Sequence, residues 1–398
     1  MMTRRAISSE GSSARTISLP AMAVLAVAAM PAALAAQEWT VDGTVSQRFE
    51  YNDNIGLNAL EIADANSSTL GRVNFALQSP TAFLNLGAEV DIVRFFEESD
   101  LDSTDSFFNL NSGKQVGAHR FGLGAEAVFD TTRTSGIDDL GVGILANKPR
   151  QTYSVTPTWQ YQWSTVDVVG VFLNARLERF PNESGGINND SYSSSLTYGR
   201  QLTAATAFDS ALTYGFYDSE FTRTRGFSLV GGVSTNISPR WRGNMVVGPR
   251  FSKTEDKIND ETTDNVGVTV SADSTFDISP LSSVTGSLEH GLVPSSSGEA
   301  QNFTAVRGIY RHQLLRDVYF DAVASFDMRK RLENDDSAET REYADVSPRI
   351  RWEFVEDWEL TGLYRFRWNS PTQSDETFTS NTFFVGVTYR TPRSFVWR

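Results

Sequence analysis

Beyond residue 36 the chain alternates apolar and polar positions with a period of two. That period puts one set of side chains on each face of a strand. Trp39, Val41, Gly43, Val45, Phe49 and Tyr51 form the first apolar row, interleaved with Asp42, Thr44, Ser46, Arg48 and Glu50. The pattern returns at Phe121/Leu123/Ala125/Ala127/Phe129, at Tyr153/Val155/Pro157/Trp159/Tyr161, at Val318/Phe320/Ala322/Ala324/Phe326 and at Trp358/Leu360/Tyr364/Phe366/Trp368. No helical period is visible after residue 36. The alternation predicts about 18 strands, with 16 as the alternative count. The first falls near 38–51, the last near 380–390, and the middle ones near 206–217, 226–237, 241–252 and 264–276.

The connections alternate in length. Short ones fall around Ser79-Pro80-Thr81, Ser164-Thr165, Ser238-Pro239-Arg240, Ser279-Pro280-Leu281 and Glu356-Asp357, with longer polar ones at 133–148, 181–190, 254–264 and 332–342. Short turns on one rim and long loops on the other describe an up-and-down antiparallel barrel in an outer membrane. Many apolar rows end in aromatics, as at Trp39 and Tyr51, Phe121 and Phe129, or Trp358 and Trp368; such rings sit at headgroup level. A soluble sandwich or propeller also alternates, but with shorter strands, turn residues at both ends alike, or a 40-residue motif that does not recur here. The fold expected is all-β: a transmembrane up-and-down antiparallel β-barrel in one domain.

The first residues differ. Arg4, Arg5 and Arg15 give a basic start, Ile17 to Met30 is a short apolar stretch, and Ala33-Leu-Ala35 is a small-x-small cleavage site. This reads as a secretory signal peptide, residues 1–35, cleaved to leave a barrel of residues 36–398. Its removal takes three Arg and one Glu, a net +2, so the charge moves from −14 to −16. An acidic balance of that size argues against nucleic acid as a partner. Cys is absent, which removes disulfides, thiolate metal sites and Cys nucleophiles together. Aromatics reach 12%, yet the chain is hydrophilic on average, as alternation on every strand requires. The remainder holds no apolar run long enough for a membrane helix.

Tyr51-Asn52-Asp53-Asn54-Ile55 closes the first predicted strand. This pentapeptide resembles the end of the first strand in the β-barrel porin type-two family, which partly overlaps the barrels encoded beside exopolysaccharide synthesis genes. The resemblance implies an outer-membrane barrel with a transport role linked to polysaccharide secretion, and polysaccharide-secretion components as partners. One departure is the tail: Phe383, Val385, Val387 and Tyr389 make a good last strand, but Thr391 to Arg398 follow it. Either Phe383 to Tyr389 or Phe395 and Trp397 would then supply the aromatic assembly signal read by the barrel-assembly machinery.

In a barrel this wide the polar row of each strand lines a lumen that holds water and small solutes. The first five strands place Asp42, Glu50, Glu89, Asp91, Glu126 and Asp130 inward, against Arg48 and Arg72. Strands 14 to 17 bring Arg307, Arg311, Arg329, Arg349, Arg351, Arg365 and Arg367, with Asp321, Asp327, Asp345, Glu353 and Glu359 among them. Only five of the 35 basic residues are Lys, and Arg keeps its charge and presents a planar fork to carboxylates and phosphates. Two readings follow. An acidic wall and an Arg-rich wall, about a third of the circumference apart, would set a transverse field that tunes selectivity. Alternatively, the Arg residues pair with neighbouring acids and hold the wall rigid.

No enzyme site emerges. His119, His290 and His312 are the only histidines: His290 falls on a lipid-facing row, and the other two near turns of the short rim. Acid pairs abound without one being singled out. The Asp/Glu-rich loops match no calcium-loop spacing, Gly122-x-Gly124 and Gly141-x-Gly143 lack the strand–helix setting of a phosphate loop, and no metal or cofactor is expected. The sequence thus predicts a passive outer-membrane pore, with lipid and lipopolysaccharide around it. The rival readings are a general small-solute porin and a structural or adhesive barrel with a closed lumen.

Overall fold

A computed structural model describes residues 38–132, 147–181, 186–294, 300–331, 340–371 and 377–391. Eighteen strands run in chain order: β1 (Glu38–Asn52), β2 (Asp64–Gln78), β3 (Ala82–Phe95), β4 (Ser103–Val116), β5 (His119–Thr131), β6 (Pro149–Gln162), β7 (Asp167–Arg179), β8 (Asn189–Gln201) and β9 (Thr206–Ser219). The second half continues with β10 (Thr222–Ser238), β11 (Trp241–Asp256), β12 (Glu261–Ser279), β13 (Ser282–Pro294), β14 (Ala300–Leu315), β15 (Val318–Arg331), β16 (Thr340–Val355), β17 (Trp358–Pro371) and β18 (Phe378–Arg390). Each strand pairs antiparallel with its sequence neighbours, and β1 pairs with β18, closing one 18-stranded sheet on itself. The tail beyond Thr391 (392–398) and residues 133–146 of the predicted loop 133–148 fall outside the described residues, as does the segment 1–37.

The outside of this barrel is apolar. Phe383 and Val385 are 57% and 56% exposed on β18, beside Val45 and Phe49 of β1, and the same holds around the circumference at Leu196, Leu212, Phe227, Val247 and Ile350. Inside, the balance is reversed: among the described residues nine buried side chains are hydrophobic and twenty-eight are polar or charged. A water-soluble sandwich buries its apolar face against a second sheet. Here no second layer exists, so the apolar rows face an apolar solvent.

Two to four residues join the strands at one rim: Gly117-Ala118, Pro239-Arg240, Pro280-Leu281, Arg316-Asp317 and Glu356-Asp357 are two-residue hairpins. Gly117 has φ +58°, a left-handed conformation that glycine adopts without Cβ strain. The other rim carries the long connections, with two corrections to the sequence reading. The stretch between 217 and 226 is not a loop: β9 reaches Ser219 and β10 starts at Thr222, leaving a two-residue turn. Likewise, most of 254–264 is strand, with only 257–260 between β11 and β12. The alternation fades there because both faces turn polar. Arg223 stands between Asp218, at 2.8 Å, and Glu255, at 3.8 Å, on the outward face, and Lys257 reaches Asp218 at 3.0 Å. A cross-strand charge ladder replaces the apolar row where the hairpins rise past the lipid.

The seam between β1 and β18 is fastened at both ends. At the long-loop rim Asp53 accepts from the Asn381 backbone N–H at 2.6 Å and from Asn381 Nδ2 at 2.7 Å. Ser380 Oγ donates to Asn52 Oδ1 at 2.7 Å, and Asn54 Nδ2 donates to the Thr379 carbonyl at 3.0 Å. At the opposite rim the Gly43 N–H donates to Thr391 Oγ1 at 2.7 Å, and the Thr391 N–H returns to the Gly43 carbonyl at 2.8 Å. The pentapeptide that carries the family resemblance is therefore occupied in closing the barrel. Asp53→Ala removes two charge-assisted bonds and should cost about 2–4 kcal/mol. The shift would be read as a lower urea midpoint of the folded barrel in lipid; an unchanged midpoint would mean that Asp53 contributes nothing to the seam.

Candidate functional site

Paired residues on neighbouring strands share a face, so the register carries the outward assignment of Val45 and Phe49 around the whole barrel. By that rule all thirteen charged positions singled out in the sequence lie on inner rows. Asp42 and Glu50 are on β1, Glu89 and Asp91 on β3, and Glu126 and Asp130 on β5. Arg307 and Arg311 are on β14, Arg329 on β15, Arg349 and Arg351 on β16, and Arg365 and Arg367 on β17. The centres of the two groups are five to six strands apart, but their edges nearly meet, because only β18 stands between β17 and β1.

The Arg-rich stretch is woven together with carboxylates. Asp321, 4% exposed, accepts from Arg349 Nη2 at 2.9 Å and from Arg351 Nε at 3.0 Å, with Arg311 Nε at 3.9 Å. Arg351 also approaches Glu359 at 3.7 Å and lies over the Tyr319 ring, 5.2 Å from its centroid. Glu359 in turn accepts from Arg390 Nη2 at 2.7 Å, and Arg365 donates to the buried Asp345. These pairs zigzag along the hydrogen-bonding direction of β14 to β18 because facing residues sit about 5 Å apart. Three cations share Asp321, so the network keeps a local surplus of positive charge. Part of the acidic stretch is paired in the same manner. Arg72 pairs with Glu89, Asn74 Nδ2 donates to Asp42 at 2.9 Å, and Arg150 grips Asp130 with bonds of 3.0 and 2.8 Å while standing 3.5 Å from Glu178. Of the two readings of these rows, pairing with acids on neighbouring strands accounts for Arg349, Arg351, Arg365, Glu89 and Asp130.

Some cations stand apart. Arg307 makes no ion pair among the described residues. Arg48 lies over the Phe384 ring at 5.9 Å and has no carboxylate partner among the described residues. Arg367 is 3% exposed, donates only to Ser380 Oγ at 3.0 Å, and leaves its Nε without an acceptor. A cavity of about 920 Å³ opens between these groups, lined by Arg48, Glu50, Arg307, Arg349, Arg365 and Arg367. A second, of about 510 Å³, lies toward the short-turn rim against Arg311, Tyr319, Asp321 and Arg351. The Asp321–Arg349–Arg351–Glu359 group borders both.

Two features escaped the sequence reading. Arg150 and Glu178 belong to the inner wall, yet Arg150 precedes the first clear apolar residue of β6 and read as loop. Ile55, from the β1–β2 connection, packs on Phe95 and Leu101 and reaches the larger cavity, so an apolar knot narrows one side of the mouth. Phe95 is an apolar residue on a polar row, which was the available signal. The histidines lie close to their expected places. His290 is on the outward row, 2.8 Å from Thr304 Oγ1. His119 accepts from Trp159 Nε1 at 3.3 Å, and His312 is 2.6 Å from Ser282 Oγ and stacked on Tyr310.

No family model matches the chain, and no curated protein is similar to it. Solved structures are. The outer-membrane protein OpdK from Pseudomonas aeruginosa is 10% identical, over 90% of this chain and 99% of that one, with a TM-score of 0.49. OccAB3 from Acinetobacter baumannii is 9% identical over 90% and 99%, with a TM-score of 0.47. OccK2 (OpdF) from Pseudomonas aeruginosa, solved in complex with glucuronate, is 10% identical over 89% and 98%, with a TM-score of 0.48. The likeness is one of fold alone.

Proposed function

We propose that this chain is a passive pore of a Gram-negative outer membrane, exported with a signal peptide cleaved after Ala35, and that small polar solutes cross it with a preference for anions. The observation that carries the reading is the inner wall itself: a charged, partly unpaired lining around a cavity of about 920 Å³, enclosed by an apolar exterior. A volume of that order holds one small solute. Three cations around Asp321, together with Arg48, Arg307 and Arg367, tilt the lining beside β14 to β1 toward anions. Of the acids opposite, Glu89 and Asp130 carry Arg partners and Asp42 an amide partner.

A link to extracellular polysaccharide rests on the Tyr51–Ile55 resemblance alone, and those residues work at the seam, so the small-solute reading is preferred. Polysaccharide synthesis genes beside this one would favour export. The adhesive reading needs a closed lumen, and no connection is long enough to form a large binding head.

Refolded protein in a planar bilayer under a salt gradient should give stable conductance steps and a reversal potential of anion sign. Silence from protein shown to be folded would overturn the open pore in favour of a plugged or adhesive barrel. Replacing Arg365 and Arg367 together with Ser should lower anion permeability about fourfold and raise cation permeability by about the same factor, the effect of two unit charges roughly 10 Å from a passing ion in water. The anion-to-cation ratio then falls by about an order of magnitude. An unchanged ratio would place both in the structural network.

A further inference from the structure

Arg250 lies on the inner face of β11, directly opposite Gly267 on β12, well toward the long-loop rim. It is 6% exposed. Its Nη2 donates to Asn302 Oδ1 at 2.7 Å, while Nε and Nη1 are buried without any acceptor, and no carboxylate stands within ion-pair distance among the described residues. The neighbouring pair on the same face, Ser252 and Asn265, has the same defect: Ser252 Oγ and Asn265 Oδ1 are buried and unpartnered. Four orphaned polar atoms on three adjacent side chains depart from the rule that buried polar groups are hydrogen-bonded. The only full charge among them is positive.

The backbone makes room for that charge. A Cβ on Gly267 would come 2.6 Å from Arg250 Nη2, and one on Gly291 would meet Nη1 at 4.0 Å. Gly267 lets the guanidinium lie across β12, while Gly291 on β13 stands at ordinary contact distance. Neither lumen cavity is lined by Arg250. A buried guanidinium without a counter-charge is strongly unfavourable, and an anion accepting from its free N–H groups and from the Ser252 hydroxyl removes that penalty.

We propose that Arg250 and Ser252 form a binding site for a small monovalent anion, either a halide or the carboxylate group of a solute. The site is separate from the Asp321 network, and its occupancy can be read whether or not the lumen conducts. The test uses the folded full-length barrel in detergent, with thermal unfolding followed by tryptophan fluorescence. Chloride or formate is titrated in at constant ionic strength against isethionate, a much bulkier anion. Wild type should show a saturable rise of about 1–2 °C in midpoint. Arg250→Met should abolish the rise. So should Gly267→Ala, which keeps the charge but displaces the guanidinium, and which serves if the first variant does not fold. A response to formate alone assigns the site to a carboxylate, and a response to chloride assigns it to a halide. A wild-type midpoint indifferent to both anions means that water fills the site and overturns the proposal. So does either variant retaining the wild-type response.

Discussion

A strand in lipid must have every backbone N–H and C=O paired within the protein, because the hydrocarbon offers no partner and each unpaired group costs several kcal/mol. An open sheet has two edges and fails that condition; only closure removes them. The whole architecture depends on β1 meeting β18, a contact between segments more than 300 residues apart. By loop-closure scaling, bringing such ends together costs about 5 kcal/mol before any reward. The seam is accordingly fastened beyond its ladder, by Asn52, Asp53 and Asn54 at one rim and by the Gly43–Thr391 exchange at the other. Side-chain oxygens that close the barrel this way add hydrogen bonds where the strands end and the ladder would fray.

Closure also dictates what the interior must be. With the apolar rows committed to lipid, charge has only the inner face to occupy, and eighteen adjacent inner rows bring side chains of opposite sign within reach. The buried carboxylates of Asp321, Asp130 and Asp345 are tolerated because each has a cation at hand: Arg349 and Arg351 for Asp321, Arg150 for Asp130, Arg365 for Asp345. Ion pairs of this kind contribute little net stability over apolar packing. Their effect here is to hold long Arg side chains in fixed places on the wall. The cations that make no ion pair among the described residues, such as Arg307 and Arg367, then act on whatever occupies the lumen. Stability and selectivity are divided among residues of one type by whether a carboxylate sits on the next strand.

The outer hairpins show how the same chain leaves the membrane. In β9 to β12 the strands continue past their last apolar outward residue, and Asp218, Arg223, Glu255 and Lys257 take over the outward face. A charged ladder is stable in water and excluded from lipid, so the change of side-chain type marks the height of the boundary.

Strand number, orientation and the inward or outward sense of each side chain were legible in the sequence, because each is a consequence of period-two alternation between two solvents. Wherever that contrast held, as from Trp39 to Tyr51 or from Trp358 to Trp368, strand and face were readable residue by residue. Where the outward face also became polar, at 218–225 and 254–264, strand looked like loop. Partnership was not legible. That Arg150 meets Asp130 while Arg307 meets no acid depends on which residues stand opposite across strands joined by loops of differing length. That Ile55 folds back onto Phe95 depends on the path of a connection with no period at all. Alternation is a local property of the chain and the sequence carries it openly; register and closure are non-local, and only the assembled barrel decides them.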